Sequence, residues 1–221
     1  MRRIAISQRV VQNAGYREPR DALAQDWSSW VAGVQPGAAL LGVPNRPEGV
    51  ANWWRSAEPE ALILSGGNDW GEAPERDATE RRLIELATAR HCPILAVCRG
   101  LQVLNVCHGG TIESNVASQT AERHVAQDHA VELDTSAVSK LAGDRKIIVN
   151  SFHNQGVTTG GIATGFRAFA VATGGIVEGM MHEREPMLAV QWHPERPSPS
   201  ATFDAAFTRL LFTRGAFWAQ R

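Results

Sequence analysis

Residues 93–111, PILAVCRGLQVLNVCHGGT, constrain the fold more tightly than any other run in the chain. Residues 93–97 are short and unbroken in their apolar character, as a buried parallel strand is, and residues 99–107 carry helical spacing. Cys98 therefore stands alone at a strand-to-helix turn. Such a turn lifts one side chain above the sheet edge, while the first free N–H groups of the helix point back at it and favour negative charge there. A thiolate gains from that field, and so does the oxyanion formed when it attacks a carbonyl. Small neighbours, here Ala96 and Gly100, let strand and helix approach closely enough to make the elbow.

A cysteine between a buried strand and a helix is, taken alone, more often an inert core thiol than a nucleophile. Three further segments change that balance: Ser65-Gly66-Gly67 after an apolar run, Asn150-Ser151-Phe152-His153, and Gln191-Trp192-His193-Pro194-Glu195. Residues two apart on an extended chain point to the same side, so Glu195 is placed to orient the His193 imidazole. Taken together, LSGGND, AVCRGLQ, NSFHNQG and VQWHPE closely resemble the triad-type glutamine amidotransferase domain, over residues 4–212. The RDATE segment at residues 76–80 and CRGLQVLNVCHGGT resemble its γ-glutamyl hydrolase branch, which acts without a synthetase partner. Ala96 departs from the family pattern, which usually has glycine two positions before the nucleophile.

The resemblance implies a flavodoxin-like fold: a doubly wound, mainly parallel sheet flanked by helices, with an antiparallel extension. It implies Cys98 as nucleophile, His193 as base and Glu195 as its orienter. The oxyanion donors would be the amides of Gly67, with Gly66 close behind, and of Arg99, each worth about 3 kcal/mol of transition-state stabilisation. Gln102, Ser151, Phe152 and His153 would contact the γ-glutamyl group. His153 is set aside as the base, because its own segment offers no carboxylate comparable to Glu195. No metal or organic cofactor is implied.

Composition narrows the alternatives. A length of 221 residues, 43% of them hydrophobic, suits a single globular domain spanning residues 1–221. With 22 basic against 23 acidic residues there is no electrostatic reason to expect nucleic acid or membrane as a partner. The opening MRRIAISQRV has too short an apolar run for a signal peptide, and a cytoplasmic location is expected. Three cysteines without metal-type spacing suggest neither a disulfide framework nor a zinc site, so Cys92 and Cys107 read as packing residues.

Along the chain, strands are expected at residues 3–7, 39–43, 61–64 and 93–97, alternating with helices at 21–34, 47–55, 75–91 and 99–107. Residues 8–20, with Arg9, Tyr16, Arg17 and Arg20, read as a loop at the carboxyl edge of the first strand, where ligands bind in open α/β sheets. Asp77 and Glu80 read as structural residues at a helix start. His124 and His129 begin two short strands without ligand-like spacing, a short helix is expected at residues 136–141, and a strand at 146–149. Residues 166–171, 176–181 and 187–192 read as the antiparallel extension, and 200–212 as a closing helix with Phe203, Phe207, Leu210 and Leu211 on one face.

The expected activity is hydrolysis of a γ-glutamyl amide through a glutamyl thioester on Cys98, with a small-molecule substrate. The amine released is open. Relatives by resemblance include enzymes that release γ-aminobutyrate, and one that releases a nucleoside-diphosphate-linked amidate, whose anionic portion would suit the arginines of residues 9–20. Two alternatives stand beside it: a glutaminase subunit that passes ammonia to a synthetase, which is the less favoured, and a catalytically silent binding module on the same fold. The sequence leaves the oligomeric state open.

Overall fold

The structure, a computed structural model, describes residues 1–116 and 125–219. Its largest sheet is parallel in its first half. Strands β1 (Arg3–Ser7), β4 (Ala39–Val43), β5 (Ala61–Leu64), β6 (Ile94–Val97) and β12 (Met187–Val190) lie side by side in the order β4-β1-β5-β6-β12. Beyond β12 the sheet continues antiparallel through β11 (Ile176–His182), β10 (Phe166–Ala172), β7 (Val125–Leu133) and β8 (Lys146–Phe152), and the two-residue β9 (Val157–Thr158) pairs with β11.

The central strands are apolar at every position because both of their faces are covered. Successive side chains alternate between faces, and the core divides accordingly. On one face Ile4, Ile6, Ile63, Leu95, Val97 and Val190 pack with Trp27 and Val31 of helix α1 (Asp26–Val34) and with Phe203, Phe207 and Leu211 of helix α5 (Ala201–Arg214). On the other face Ala5, Leu62, Leu64, Ile94, Ala96 and Ala189 pack against α2 (Val50–Ala57), α3 (Pro74–Thr88) and α4 (Arg99–Cys107), through residues such as Trp54, Leu83 and Leu104. From β1 the chain goes outward to β4 and then returns to β5 on the other side of β1, which opens a crevice at the carboxyl ends of the strands.

Several elements differ from their sequence expectation. Residues 8–20 are not an open loop: β2 (Arg9–Gln12) and β3 (Pro19–Ala22) form an antiparallel ribbon of their own. The side-chain amide of Asn68 stands in for a strand partner, accepting from the Val10 N–H at 2.8 Å and donating to the Val10 carbonyl at 3.0 Å. Helix α1 begins at Asp26 rather than at residue 21, since Asp21 lies in β3 and accepts hydrogen bonds from the Asn45 backbone and amide. Residues 125–133 form one continuous strand, and His124 lies outside the described residues. The helix expected at residues 136–141 is a 3-10 turn, Ser139–Ala142. Strand β12 belongs to the parallel half: it runs parallel to β6 and antiparallel to β11, and is the seam between the two halves. No helix of the described residues is long and apolar enough to cross a membrane.

Candidate active site

The pairing of β12 with β6 brings the separate motifs together. Val190 lies in register with Val97, and the Cys98 N–H donates to the Val190 carbonyl at 2.8 Å. The residues just past the two strand ends, Cys98 and His193, thus emerge at one edge. Cys98 adopts φ 56° and ψ −111°, a left-handed conformation for a residue with a side chain, and α4 starts immediately after it. The turn holds because Gly100 lies against β5: a Cβ there would stand 2.3 Å from the Leu64 carbonyl oxygen.

His193 is fixed at both ends. Asn150 accepts from its backbone N–H and donates to its carbonyl, both at 2.9 Å. Its Nδ1 lies 2.7 Å from Glu195 Oε1, which leaves Nε2 as the ring nitrogen available to the Cys98 thiol. All three side chains are buried. Burial would raise the Cys98 pKa, but the charge and hydrogen bond of His193, the charge of His153 and the Arg99 N–H outweigh it and hold the thiol below its ordinary value. Burial would lower that of His193; the thiolate and Glu195 reverse this and raise it to about 9. The two shifts together favour a thiolate facing an imidazolium. Cys92 and Cys107 show what burial does without such a partner, since their pKa values are pushed up to about 12 and about 11.

The Ser65-Gly66-Gly67 turn closes the other side of the thiol. A Cβ on Gly66 would meet the His193 Cε1 at 3.0 Å and the Cys98 Sγ at 3.7 Å, so only glycine lets the backbone come this near. Gly67, at φ +82°, turns away toward Arg9. The Arg99 backbone opens α4 beside the thiol, while its side chain runs inward to Asp77 and Glu80.

The remaining sequence candidates divide. Phe152 stands edge-on to the His193 ring, 5.7 Å between centroids, and the Arg196 guanidinium lies 4.4 Å from the Phe152 ring centre. Gln102 is buried, and its amide nitrogen already donates to the Gln155 carbonyl at 3.0 Å and to Gln191 at 3.3 Å. Ser151 is buried in β8. His153 finds a carboxylate outside its own segment: Glu178 on β11 lies 3.3 Å from its Nε2, and the Gln155 carbonyl lies 2.9 Å from its Nδ1. Burial would lower its pKa, but the Glu178 carboxylate outweighs this and raises it above its ordinary value. The His153 charge in turn contributes to lowering the Cys98 pKa. Among the described residues no cluster of three or more His, Cys, Asp or Glu side chains is arranged to hold a metal ion.

The sequence profile of the Peptidase C26 family matches residues 9–195. The chain belongs to that family. The γ-glutamyl-CDP-amidate hydrolase of Campylobacter jejuni is 28% identical over 87% of this chain and 90% of its own length. The predicted glutamine amidotransferase PB2B2.05 of Schizosaccharomyces pombe is 35% identical over 62% of each chain, so the match spans less than two thirds of that relative's length. A glutamine amidotransferase structure from Methylobacillus flagellatus superposes with a TM-score of 0.58 at 15% identity, over 89% of this chain and 71% of that one, and shares the fold. The match sets this chain in the Peptidase C26, class I glutamine amidotransferase-like family, and the named hydrolase is one of the proteins to which it is similar.

Within this Peptidase C26 chain the structure corrects one sequence reading near the site and bears out another. Of the arginines in residues 9–20, only Arg9 lines the cleft with Gly66, Gly67, His193, Glu195 and Arg196. Arg20 pairs with Glu18, and Arg17 lines a separate groove beside Asp21, Glu72 and Glu75. Asp77 and Glu80 are structural, as expected: they are buried ion partners of Arg99, and Glu80 also binds Arg76 at 3.0 Å. Glu178 was invisible as a site neighbour, and Asn68 and Arg76 stood inside LSGGND and RDATE with no role read for them. Only the Arg76 and Glu80 spacing of four on a helix gave a signal, and that spacing ordinarily marks a surface pair.

Proposed function

We propose that this chain hydrolyses a γ-glutamyl amide through a glutamyl thioester on Cys98. The observation that carries this reading is the meeting of Cys98 and His193 against Gly66, with the His193 Nδ1 2.7 Å from Glu195 Oε1 and the thiol pKa lowered at the elbow. Cys98 thiolate attacks the γ-carbonyl, and the N–H groups of Gly67 and Arg99 receive the oxyanion. The His193 imidazolium, oriented by Glu195, protonates the departing nitrogen, and the amine leaves. Neutral His193 then takes a proton from water, which attacks the thioester and releases glutamate and free thiol. Phe152 and His153 border the glutamyl group, and the raised pKa of His153 suits it to the α-carboxylate; Gln102 and Ser151 shape that wall from behind.

Arg9 and Arg196 favour a leaving group that carries negative charge. Both line the cleft beside His193 and the Gly66-Gly67 turn, and no carboxylate within salt-bridge distance pairs with Arg9 among the described residues. Guanidinium groups bind phosphates bidentately. The similarity to a γ-glutamyl-CDP-amidate hydrolase makes a nucleoside-diphosphate amidate the first substrate to try.

The test is glutamate release by the purified chain from glutamine, γ-glutamyl-γ-aminobutyrate, γ-glutamyl peptides and a γ-glutamyl amidate of a nucleoside diphosphate, with Cys98→Ala as control. Release that needs Cys98 from a non-glutamine substrate supports the reading. Silence across the panel, or release that survives Cys98→Ala, overturns it. Arg9→Ala should cost the diphosphate substrate more than tenfold in kcat/KM and a neutral substrate little; equal losses would remove Arg9 from leaving-group recognition.

A further inference from the structure

The Ser65-Gly66-Gly67 turn is gripped from behind by one side chain. Arg76, fully buried in the first turn of α3, donates to the carbonyls of Ser65 at 2.8 Å and Gly66 at 3.1 Å, and also to that of Gly67. The same guanidinium reaches the Ser65 hydroxyl at 3.3 Å and Asn68 Oδ1 at 3.2 Å, while its Nε is held by Glu80. A trans peptide unit is planar, with its C=O and N–H on opposite sides. Three successive carbonyls drawn toward Arg76 therefore turn the N–H groups of Gly66, Gly67 and Asn68 to the opposite side. Cys98 and His193 lie against the turn within 4 Å of the Gly66 Cβ position. Among the described residues no acceptor takes the Gly66 or Gly67 N–H.

The network does not end at the turn. Glu80 also binds the Arg99 guanidinium, which Asp77 binds as well, and the Arg99 backbone supplies the other amide beside the thiol. Burial raises the Glu80 pKa, yet Arg76 and Arg99 outweigh it, so the carboxylate is ionised between two guanidinium groups. One buried ion network thus fastens both walls of the oxyanion site.

We propose that Arg76 is a positioning residue for catalysis: its guanidinium sets the orientation of the residue 65–67 peptides, and Glu80 ties that orientation to the start of α4. The proposal rests on the thioester reading above. An arginine is required because a lysine ammonium presents a single point of donors, whereas the planar fork spans three carbonyls while its Nε holds Glu80.

The experiment compares wild type, Arg76→Lys and Glu80→Gln, using the substrate found active in the panel. It reads kcat, KM, the rate of acyl-enzyme formation in single turnover, and the pH profile of Cys98 alkylation by iodoacetamide, which needs the thiolate but no oxyanion site. Both variants keep a folded chain's circular dichroism if the role is positional. Arg76→Lys is expected to lower kcat and the acylation rate by 10-fold or more, with KM within about threefold and the alkylation profile unchanged. Glu80→Gln is expected to lose about fivefold or more in the same two rates, and decides the matter if Arg76→Lys does not fold. Acylation rates equal to wild type in folded variants would overturn the positioning role and leave the thioester reading intact. So would a loss that appears in KM alone, or one matched by a shifted alkylation profile. Absence of an acyl-enzyme in wild type would overturn the thioester reading itself.

Discussion

Gly100→Ala puts the elbow under a defined load. The new Cβ would lie 2.3 Å from the Leu64 carbonyl oxygen and 2.9 Å from the Leu64 carbonyl carbon, both of them backbone atoms of a central strand that cannot rotate aside. A C···O contact relaxes only at about 3.3 Å, so α4 and β5 must separate by about 1 Å. Crowding of this kind costs about 1–3 kcal/mol of stability. The function should suffer more. Leu64 leads directly into Ser65-Gly66-Gly67, and Gly100 follows Arg99, so the shift moves the two amide walls relative to Cys98. A misplacement of about 1 Å at a reacting centre costs on the order of 10²-fold in rate. Urea denaturation and kcat/KM for glutamate release measure the two effects separately. Gly33→Ala in α1 is the internal control: its Cβ meets nothing within 4 Å, and helix propensity alone should stabilise it by about 0.5–1 kcal/mol. A Gly100→Ala chain within about 0.5 kcal/mol of wild type and equally active would refute the close-packed elbow.

Two further perturbations follow from titration. The thiolate–imidazolium pair exists between the lowered Cys98 pKa and the His193 value of about 9, so kcat/KM should rise through the first and fall through the second. Glu195→Gln keeps a partner for Nδ1 but removes its charge, and should bring the alkaline limb down by about one unit or more; an unmoved limb would sever Glu195 from His193. Asp204 lies buried under Trp192, whose indole N–H donates to it at 2.9 Å, and burial raises its pKa from 3.8 to about 7. A raised carboxyl pKa favours the protonated fold, so stability is complete below about pH 4 and is lost as pH rises through 7. Asp204→Asn should therefore be more stable than wild type at pH 8, by up to about 4 kcal/mol, with the difference vanishing toward pH 4; a difference independent of pH would count against a buried, reluctant carboxylate.

The legibility of the sequence followed the range of the interactions. Helix α4 and strands β1, β4 and β5 were read to the residue because apolar runs with glycine or charged ends are local signals. The motifs NSFHNQG and VQWHPE were legible as segments, but their meeting depends on β12 pairing parallel to β6, a contact between residues about 90 positions apart. The reading of residues 187–192 as part of the antiparallel extension missed this, since MLAV carries no period that distinguishes a seam from an edge. The ribbon of residues 9–22 hid for another reason: beside its own ladder it is held by Asn68, a distant side chain that bonds both backbone groups of Val10. Charge partners were the least legible. Glu178 for His153, and Asp77 for Arg99, lie on other elements, so no spacing announces them. The nucleophile assignment drew on chemistry that is local, and the surrounding electrostatics did not.

The most direct measurement is mass spectrometry of the chain quenched in acid during turnover of an active γ-glutamyl substrate, followed by peptide mapping. One glutamyl residue carried by the peptide that contains Cys98, absent from Cys98→Ala and accumulating in a variant slow to deacylate, is the expected result. Turnover with no adduct at Cys98, or with the adduct on Cys92 or Cys107, would contradict a thioester mechanism at this elbow.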